Sequence, residues 1–345
     1  MIGIRVDAND KIAMGHLMRC LSIAKSLRKK GEEVVFISSE SNIKDVVCKE
    51  NFNFIALNNR YDDKESEIEQ LLEIIRLSKI EIILLDSYEV TELYMQKLYT
   101  SVKIVYIDDL NLFKYSADVI VNYTYNANSS IYEKWKYSNE TQFYFGIKYI
   151  PLRSEFGFEC IDFNDEVSNI FLTTGGTDNY DMIISILKQL RKKELHNINI
   201  NVVVGKFYNK IDELRKMESD SIRIYQNISN MYEIMKQNDI AISAGGTTVA
   251  ELCSIGIPTI AFSIADNQME GVKAYSEDGI IIYAGDVREN KGEVISNIVH
   301  NVEKLITNDS YRSELSLKSM TKIDGKGAVR IAELIIKLKY NQKSL

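Results

Sequence analysis

Thirteen short apolar runs, each four to six residues long and separated by stretches with helical periodicity, constrain the fold of this chain more than any other feature. A strand covered by helices on both faces reads as a continuous apolar run, the mark of a parallel sheet. The first series comprises Ile2 to Val6, Glu33 to Ile37, Phe54 to Leu57, Ile80 to Leu85, Lys103 to Ile107, Val119 to Asn122 and Gln142 to Phe145. The second comprises Asn169 to Thr173, Asn199 to Val204, Ile222 to Tyr225, Ile240 to Ser243, Thr259 to Phe262 and Ile280 to Tyr283. Two such series in 345 residues, more than one core usually holds, predict an α/β chain with two doubly wound, Rossmann-like domains facing a cleft. The extended stretch 146–156, with one of the two prolines at Pro151, divides an N-terminal domain, 1–150, from a C-terminal domain, 151–345. The last helical pattern, Ala328 to Lys339, could pack back on the N-terminal domain.

In such sheets ligands bind beyond the carboxyl ends of the strands. After the first run comes a polar loop, Asp7 to Met14, and then His16 at the start of a helix whose apolar positions Leu17, Cys20, Leu21, Ala24 and Leu27 share one face before a stop at Gly31. The partial positive charge of a helix N-terminus disfavours a second proton on His16, and a neutral imidazole is a competent general base near pH 7. The plain alternative is a helix-capping histidine beside a surface arginine, since Arg19 lies one turn along on the same face. Asp86-Ser87-Tyr88 and Asp108-Asp109 also follow apolar runs. The two adjacent carboxylates point apart on extended backbone, which favours structural or substrate-orienting roles over a metal site.

The second half offers an anion site at Ala244-Gly245-Gly246-Thr247-Thr248, where a strand gives way through a side-chain-poor turn to a helix containing Glu251. Thr248 and Glu251 also match a capping box. A second glycine turn, Gly175-Gly176-Thr177-Asp178, follows the strand at Asn169, and Thr177 or Asp178 can cap the next helix. The loop Asn227-Ile228-Ser229 can set backbone groups against a flat base, and Asn267-Gln268 offers neutral partners from a polar loop. No G-x-G-x-x-G follows a strand and no G-x-x-x-x-G-K-[ST] occurs, so NAD chemistry and phosphoryl transfer from ATP lose support.

The balance of 42 Lys and Arg against 49 Asp and Glu, without a basic stripe, argues against nucleic acid. With no run of about 20 apolar residues and no signal-peptide pattern, the expectation is a cytoplasmic protein without an integral membrane segment. Cys20, Cys48, Cys160 and Cys253 are scattered and read as reduced core residues, and His16, His196 and His300 are too dispersed for zinc.

Taken in order, Arg5-x-Asp7, Gly15-His16-x-x-Arg19-Cys20, Asp86-Ser87-Tyr88, Ile107-Asp108-Asp109-Leu110, Gly146 with Leu152-Arg153-x-Glu155-Phe156, Gly175 to Asp178, and Ser243 to Glu251 with Asn267-Gln268 resemble the UDP-2,4-diacetamido-2,4,6-trideoxy-β-L-altropyranose hydrolases of pseudaminic acid biosynthesis. The resemblance implies a GT-B-like fold, related to the N-acetylglucosaminyltransferase of peptidoglycan assembly, with UDP held by the C-terminal domain and the sugar presented to the N-terminal one. It implies His16 as catalytic base, Glu251 as a ribose-side ligand and Asn267 as a contact near the diphosphate or sugar. Asp7, Gly15, Arg19, Arg153, Gly176, Asp178, Ile228, Ala244, Gly245, Gly246, Thr247, Thr248 and Gln268 complete the implied substrate and UDP contacts. The chain departs from the family at Ala13, where glycine is usual, and at Ser87, where histidine is common.

The implied reaction is hydrolysis at the anomeric carbon with inversion, His16 activating water and Tyr88 orienting the sugar or the water. The scheme calls for neither metal nor cofactor. The same residues suit a UDP-sugar-dependent GT-B glycosyltransferase, which an apolar or basic acceptor patch on the N-terminal domain would favour. A noncatalytic nucleotide-sugar binding protein would bind UDP without turnover.

Overall fold

A computed structural model describes residues 1–9, 14–135, 140–157, 164–193, 197–205, 208–228 and 230–340. The described residues divide into two compact units, 1–154 with 326–345, and 155–325.

The first unit runs β1 (Ile2–Val6), α1 (Gly15–Lys29), β2 (Val34–Ser38), α2 (Lys44–Lys49), β3 (Asn53–Ala56), α3 (Lys64–Leu77), β4 (Ile82–Asp86), α4 (Glu92–Tyr99), β5 (Lys103–Ile107), β6 (Val119–Asn122), α5 (Ser130–Glu133) and β7 (Gln142–Phe145). Its seven strands pair in parallel in the order β3-β2-β1-β4-β5-β6-β7. The chain order reverses between β1 and β4, so the loops leaving these neighbouring strands flank the switch-point crevice.

The second unit runs β8 (Asn169–Thr173), α6 (Met182–Lys192), β9 (Asn199–Val204), α7 (Ile211–Arg215), β10 (Ile222–Gln226), α8 (Met231–Met235), β11 (Ile240–Ala244), α9 (Thr247–Ser254), β12 (Thr259–Ser263), α10 (Asp266–Glu277), β13 (Ile282–Asp286), α11 (Val287–Thr307) and α12 (Asp309–Lys322). Its parallel order is β10-β9-β8-β11-β12-β13, with the reversal between β8 and β11. Each of the thirteen apolar runs overlaps a strand, with ends displaced by at most three residues.

The last helix, α13 (Gly327–Tyr340), belongs to the first unit. The α1 stripe of Leu17, Cys20, Leu21, Ala24 and Leu27 is buried, and Ile331, Ala332, Ile335 and Leu338 of α13 complete the same core. Burial of each large aliphatic side chain contributes about 1.5–3 kcal/mol, which fixes α13 here rather than with the unit that precedes it. Gly327 enables the approach, since a Cβ there would stand 2.1 Å from the Ile150 carbonyl oxygen. Cys20 and Cys253 are buried, as expected, but Cys48 is exposed: it lies on α2, a short helix that buries Val47. Cys160 and His196 lie outside the described residues.

Strand alternation gives β1 two different faces. Ile2, Ile4 and Val6 join the core with α1 and α13, whereas Arg5 points the other way into a buried charge network with α3 and α4. Glu67 accepts from Arg5 Nε at 2.9 Å, Arg5 Nη2 at 2.7 Å, Ser39 Oγ at 2.6 Å and Tyr94 Oη at 3.0 Å. Asp7 Oδ1 accepts from Ser38 Oγ at 2.9 Å and Ser39 N at 2.8 Å and pairs with Arg5 Nη1 at 2.9 Å, while Oδ2 accepts from Lys64. Two cations thus meet two carboxylates, all at 4% exposure or less. Burial lowers the Lys64 ammonium from its ordinary value; at Asp7, burial is outweighed by Arg5 and Lys64, which hold the carboxyl below its usual range. Because removing one member strands buried charge, Glu67→Gln is expected to destabilise the protein by about 3–5 kcal/mol in urea unfolding. A loss below about 1 kcal/mol would show that Arg5 is satisfied without it.

Candidate active site

The crevice between β1 and β4 gathers His16 from the first turn of α1 and Asp86-Ser87-Tyr88 from the end of β4. The N-cap of α1 is Met14, with no side-chain cap bond, so His16 does not cap the helix; its ring turns toward Asp86. Nδ1 lies 2.6 Å from Asp86 Oδ1, and the Asp86 side chain has no exposure. Arg19 donates to both oxygens of the same carboxylate, Nε to Oδ2 and Nη2 to Oδ1, and Cys20 Sγ adds a 3.4 Å contact. Burial alone would push the Asp86 carboxyl up, but the Arg19 guanidinium and the bonds from Arg19 and His16 outweigh it and hold the group well below the usual carboxylate range.

An ionised oxygen 2.6 Å from a ring nitrogen requires a proton between them, which assigns the Nδ1–H tautomer. In the neutral ring Nε2 then carries the lone pair. The Tyr88 ring stands edge-on to the imidazole, with centroids 4.5 Å apart at 85°, and its hydroxyl donates to Asp109 Oδ2 at 2.8 Å. Burial and the Asp109 carboxylate push the Tyr88 phenol up, keeping it a donor. A cavity of about 30 Å³ is lined by Asp7, His16, Asp86, Ser87, Tyr88 and Glu89, which is room enough for a water molecule.

Asp108 and Asp109 point apart, as extended backbone dictates. Asp108 accepts from the backbone of Leu110 and Asn111, at 3.0 and 2.9 Å, and from Tyr132. Asp109 instead meets Tyr88 and, at 3.4 Å, Arg19 Nη1, which also donates to Tyr123. The guanidinium of Arg19 is therefore engaged within the unit, as is the carboxylate of Asp7. Gly15 opens α1, and Arg153 is the penultimate residue before the chain passes into the second unit.

The reversal between β8 and β11 places both glycine turns of the second unit side by side. Gly175 adopts φ 82°, and a Cβ on Gly205 would stand 2.7 Å from Gly176 Cα, so this turn packs backbone on backbone. The Asp178 carboxylate accepts from Met182 N at 2.8 Å and Ile183 N at 2.9 Å, which makes it the cap of α6. After Ala244, Gly245 lies under α10, where a Cβ would come within 2.6 Å of Val272 Cγ1 and 3.3 Å of Gln268 Cβ. Gly246 is the N-cap of α9, and Thr247 and Thr248 form its first turn. That helix has no side-chain cap bond, so the capping box expected of Thr248 and Glu251 does not form: Thr248 is already inside the helix, and Glu251 lies buried one turn on. The first amide groups of α9 have no partner within the helix.

Asn267 and Gln268 belong to the first turn of α10 rather than to a polar loop. Gln268 Oε1 accepts from Ile264 N at 3.1 Å and closes the β12–α10 turn; the Asn267 side chain lies outside the described residues. Ile228 is half-buried after Asn227, whose φ is 52°; Ala13 and Ser229 lie outside the described residues. Among the described residues no cluster of three or more His, Cys, Asp or Glu is placed to hold a metal ion, and no helix is long and apolar enough to cross a membrane.

Residues 169–333 match the glycosyltransferase family 28 C-terminal domain. Among solved structures, MurG of Acinetobacter baumannii superposes with a TM-score of 0.66 at 12% identity, covering 97% of this chain and 99% of that one. An S. aureus MnaA–UDP structure gives 0.65 at 16% identity, covering 98% and 96%.

The fold is GT-B-like.

By sequence, this GT-B-like chain is 30% identical over 284 residues to an uncharacterized protein of Methanocaldococcus jannaschii, matching 78% of this chain and 57% of that protein. It is 23% identical to the spore coat polysaccharide biosynthesis protein SpsG of Bacillus subtilis over 99% of both chains. It is 24% identical to the UDP-2,4-diacetamido-2,4,6-trideoxy-β-L-altropyranose hydrolase of Campylobacter jejuni, over 72% of this chain and 85% of that enzyme.

The role that sequence reasoning missed is that of Asp86, placed only as a residue that follows an apolar run. Its signal was an acidic residue ending the apolar run that becomes the neighbour of β1. Arg5 appeared only as part of the Arg5-x-Asp7 motif, and Lys64, Glu67 and Tyr123 carried no signal, because their partners lie on other elements.

Proposed function

We propose that this protein is an inverting hydrolase that cleaves the anomeric C–O bond of a UDP-diacetamido-trideoxy-hexose, releasing UDP and the free sugar for surface-glycan synthesis of the pseudaminic acid type. The observation that carries this reading is the His16–Asp86 pair, with the Nε2 lone pair available and a water-sized cavity against the ring. Likeness to the Campylobacter hydrolase supports the substrate class, and the UDP in the MnaA structure supports a nucleotide ligand.

His16 Nε2 takes a proton from water as its oxygen bonds to the anomeric carbon, opposite to the departing UDP; Asp86 stabilises the imidazolium that forms. In the second unit, the first turn of α9 after Gly245 and Gly246 receives the diphosphate, where helix amides stabilise the leaving charge. Glu251 serves the ribose, and Asn267 the diphosphate or sugar. Tyr88 orients the sugar or the water. Within the first unit Gly15 and Arg153, and within the second Gly176, Ile228 and Ala244, complete the residues assigned to the donor in this reading.

The experiment is incubation of the protein with a panel of UDP-diacetamido sugars without acceptor, followed by NMR of the sugar anomeric signals. Release of UDP with an inverted sugar is the expected result. No release from any donor would sink the reading. Release only after an acceptor is added would establish the second reading, a glycosyltransferase, for which the exposed apolar side chains of Met14 and Met18, flanking His16 in sequence, are candidate acceptor contacts.

A further inference from the structure

We infer that Arg19 is a positioning residue that acts through Asp86, holding its carboxylate against His16, and is not a ligand of the UDP phosphates. The inference rests on the proposed hydrolase reading for its kinetic consequence but not for its physical one.

Arg19 fits poorly as a phosphate ligand because its donors already have acceptors. Nε and Nη2 meet the two Asp86 oxygens, and Nη1 meets Tyr123 Oη and Asp109. The guanidinium is a two-pronged fork matched to a carboxylate, so it fixes the rotation of Asp86 as well as neutralising it. That rotation is what presents Oδ1 to His16 Nδ1. The whole array is dry: the Arg19 side chain is 10% exposed and that of Asp86 0%.

The same guanidinium opposes Asp86 electrostatically at the ring. Nη2 lies 2.9 Å from His16 Nδ1, so a protonated His16 would stand beside a second cation as well as beside an anion. The other polar groups around the ring are Cys20 from α1, Tyr88 after β4, and Asp7 and Glu89 on the cavity wall. Asp109 and Tyr123, after β5 and β6, reach the array through Arg19. Burial pushes the Tyr123 hydroxyl up to about 12 against the pull of Arg19, so it is neutral near pH 7.

The test measures acceptor-free UDP release and UDP affinity with the full chain, in wild type, Arg19→Gln, Arg19→Met and Arg19→Lys. Methionine keeps the apolar stem packed if glutamine disrupts folding, and melting curves identify folded variants. In the folded neutral variants kcat for UDP release is expected to fall about tenfold with KM little changed, because Asp86 loses the fork that fixes its rotation toward His16. Lysine keeps the charge and loses the fork, and is expected to lose a similar factor. A loss confined to KM or to UDP affinity by calorimetry, with kcat intact, overturns the inference, as does no change in kcat. If no UDP-sugar is hydrolysed, the hydrolase reading fails and the calorimetric UDP affinity of the variants still tests whether Arg19 contacts the nucleotide.

Discussion

Replacing His16 with alanine is expected to lower kcat for acceptor-free UDP release by about 10²–10⁴-fold, the usual contribution of a positioned general base. KM for the donor should change little if, as proposed, the imidazole acts on water and makes no contact with the nucleotide. UDP affinity measured by calorimetry should likewise match wild type. Some hydrolysis should persist, since UDP is a good leaving group whose departure the proposed diphosphate site at α9 would still assist. A loss smaller than tenfold, or a rise in KM with kcat intact, would remove His16 from the chemistry and leave it as a packing residue against Tyr88.

Asp86→Asn is expected to be nearly as severe, about 10²–10⁴-fold in kcat, a span whose upper end is known from the equivalent change in a serine protease. Asparagine can offer its amide nitrogen to Nδ1, which turns the ring to the other tautomer and places the proton on Nε2. Arg19, meanwhile, loses the carboxylate it brackets on both oxygens. A variant that keeps more than a tenth of wild-type kcat would mean that Asp86 orients nothing.

The parallel sheets were readable because helices cover them on both faces: strands such as Ile82–Asp86 and Ile240–Ala244 are buried along their whole length and appear as unbroken apolar runs. The glycine turns were readable for a related reason, since Gly175 needs a left-handed backbone and Gly245 lies against Val272. Asp86 was not, because its meaning depends on β1 and β4 being neighbours, a pairing across about 80 residues that no local pattern records. The false capping box at Thr248 and Glu251 shows the converse. The spacing was right, but the helix begins at Thr247, two residues before the start that a cap at Thr248 would set, and the first turn is left open instead of being closed by its own side chains. His16 likewise had its place in the chain fixed by pattern and its orientation by a distant carboxylate.

The separation of α13 from the rest of its unit has a consequence for the order of events on the ribosome. The 155–325 unit is one uninterrupted stretch, complete before α13 has been synthesised. The first unit, whose seven strands emerge earliest, must wait through all of that stretch with the α13-facing part of its core uncovered. Domains made first ordinarily close first; here the later-made domain can be finished while the earlier one is still open.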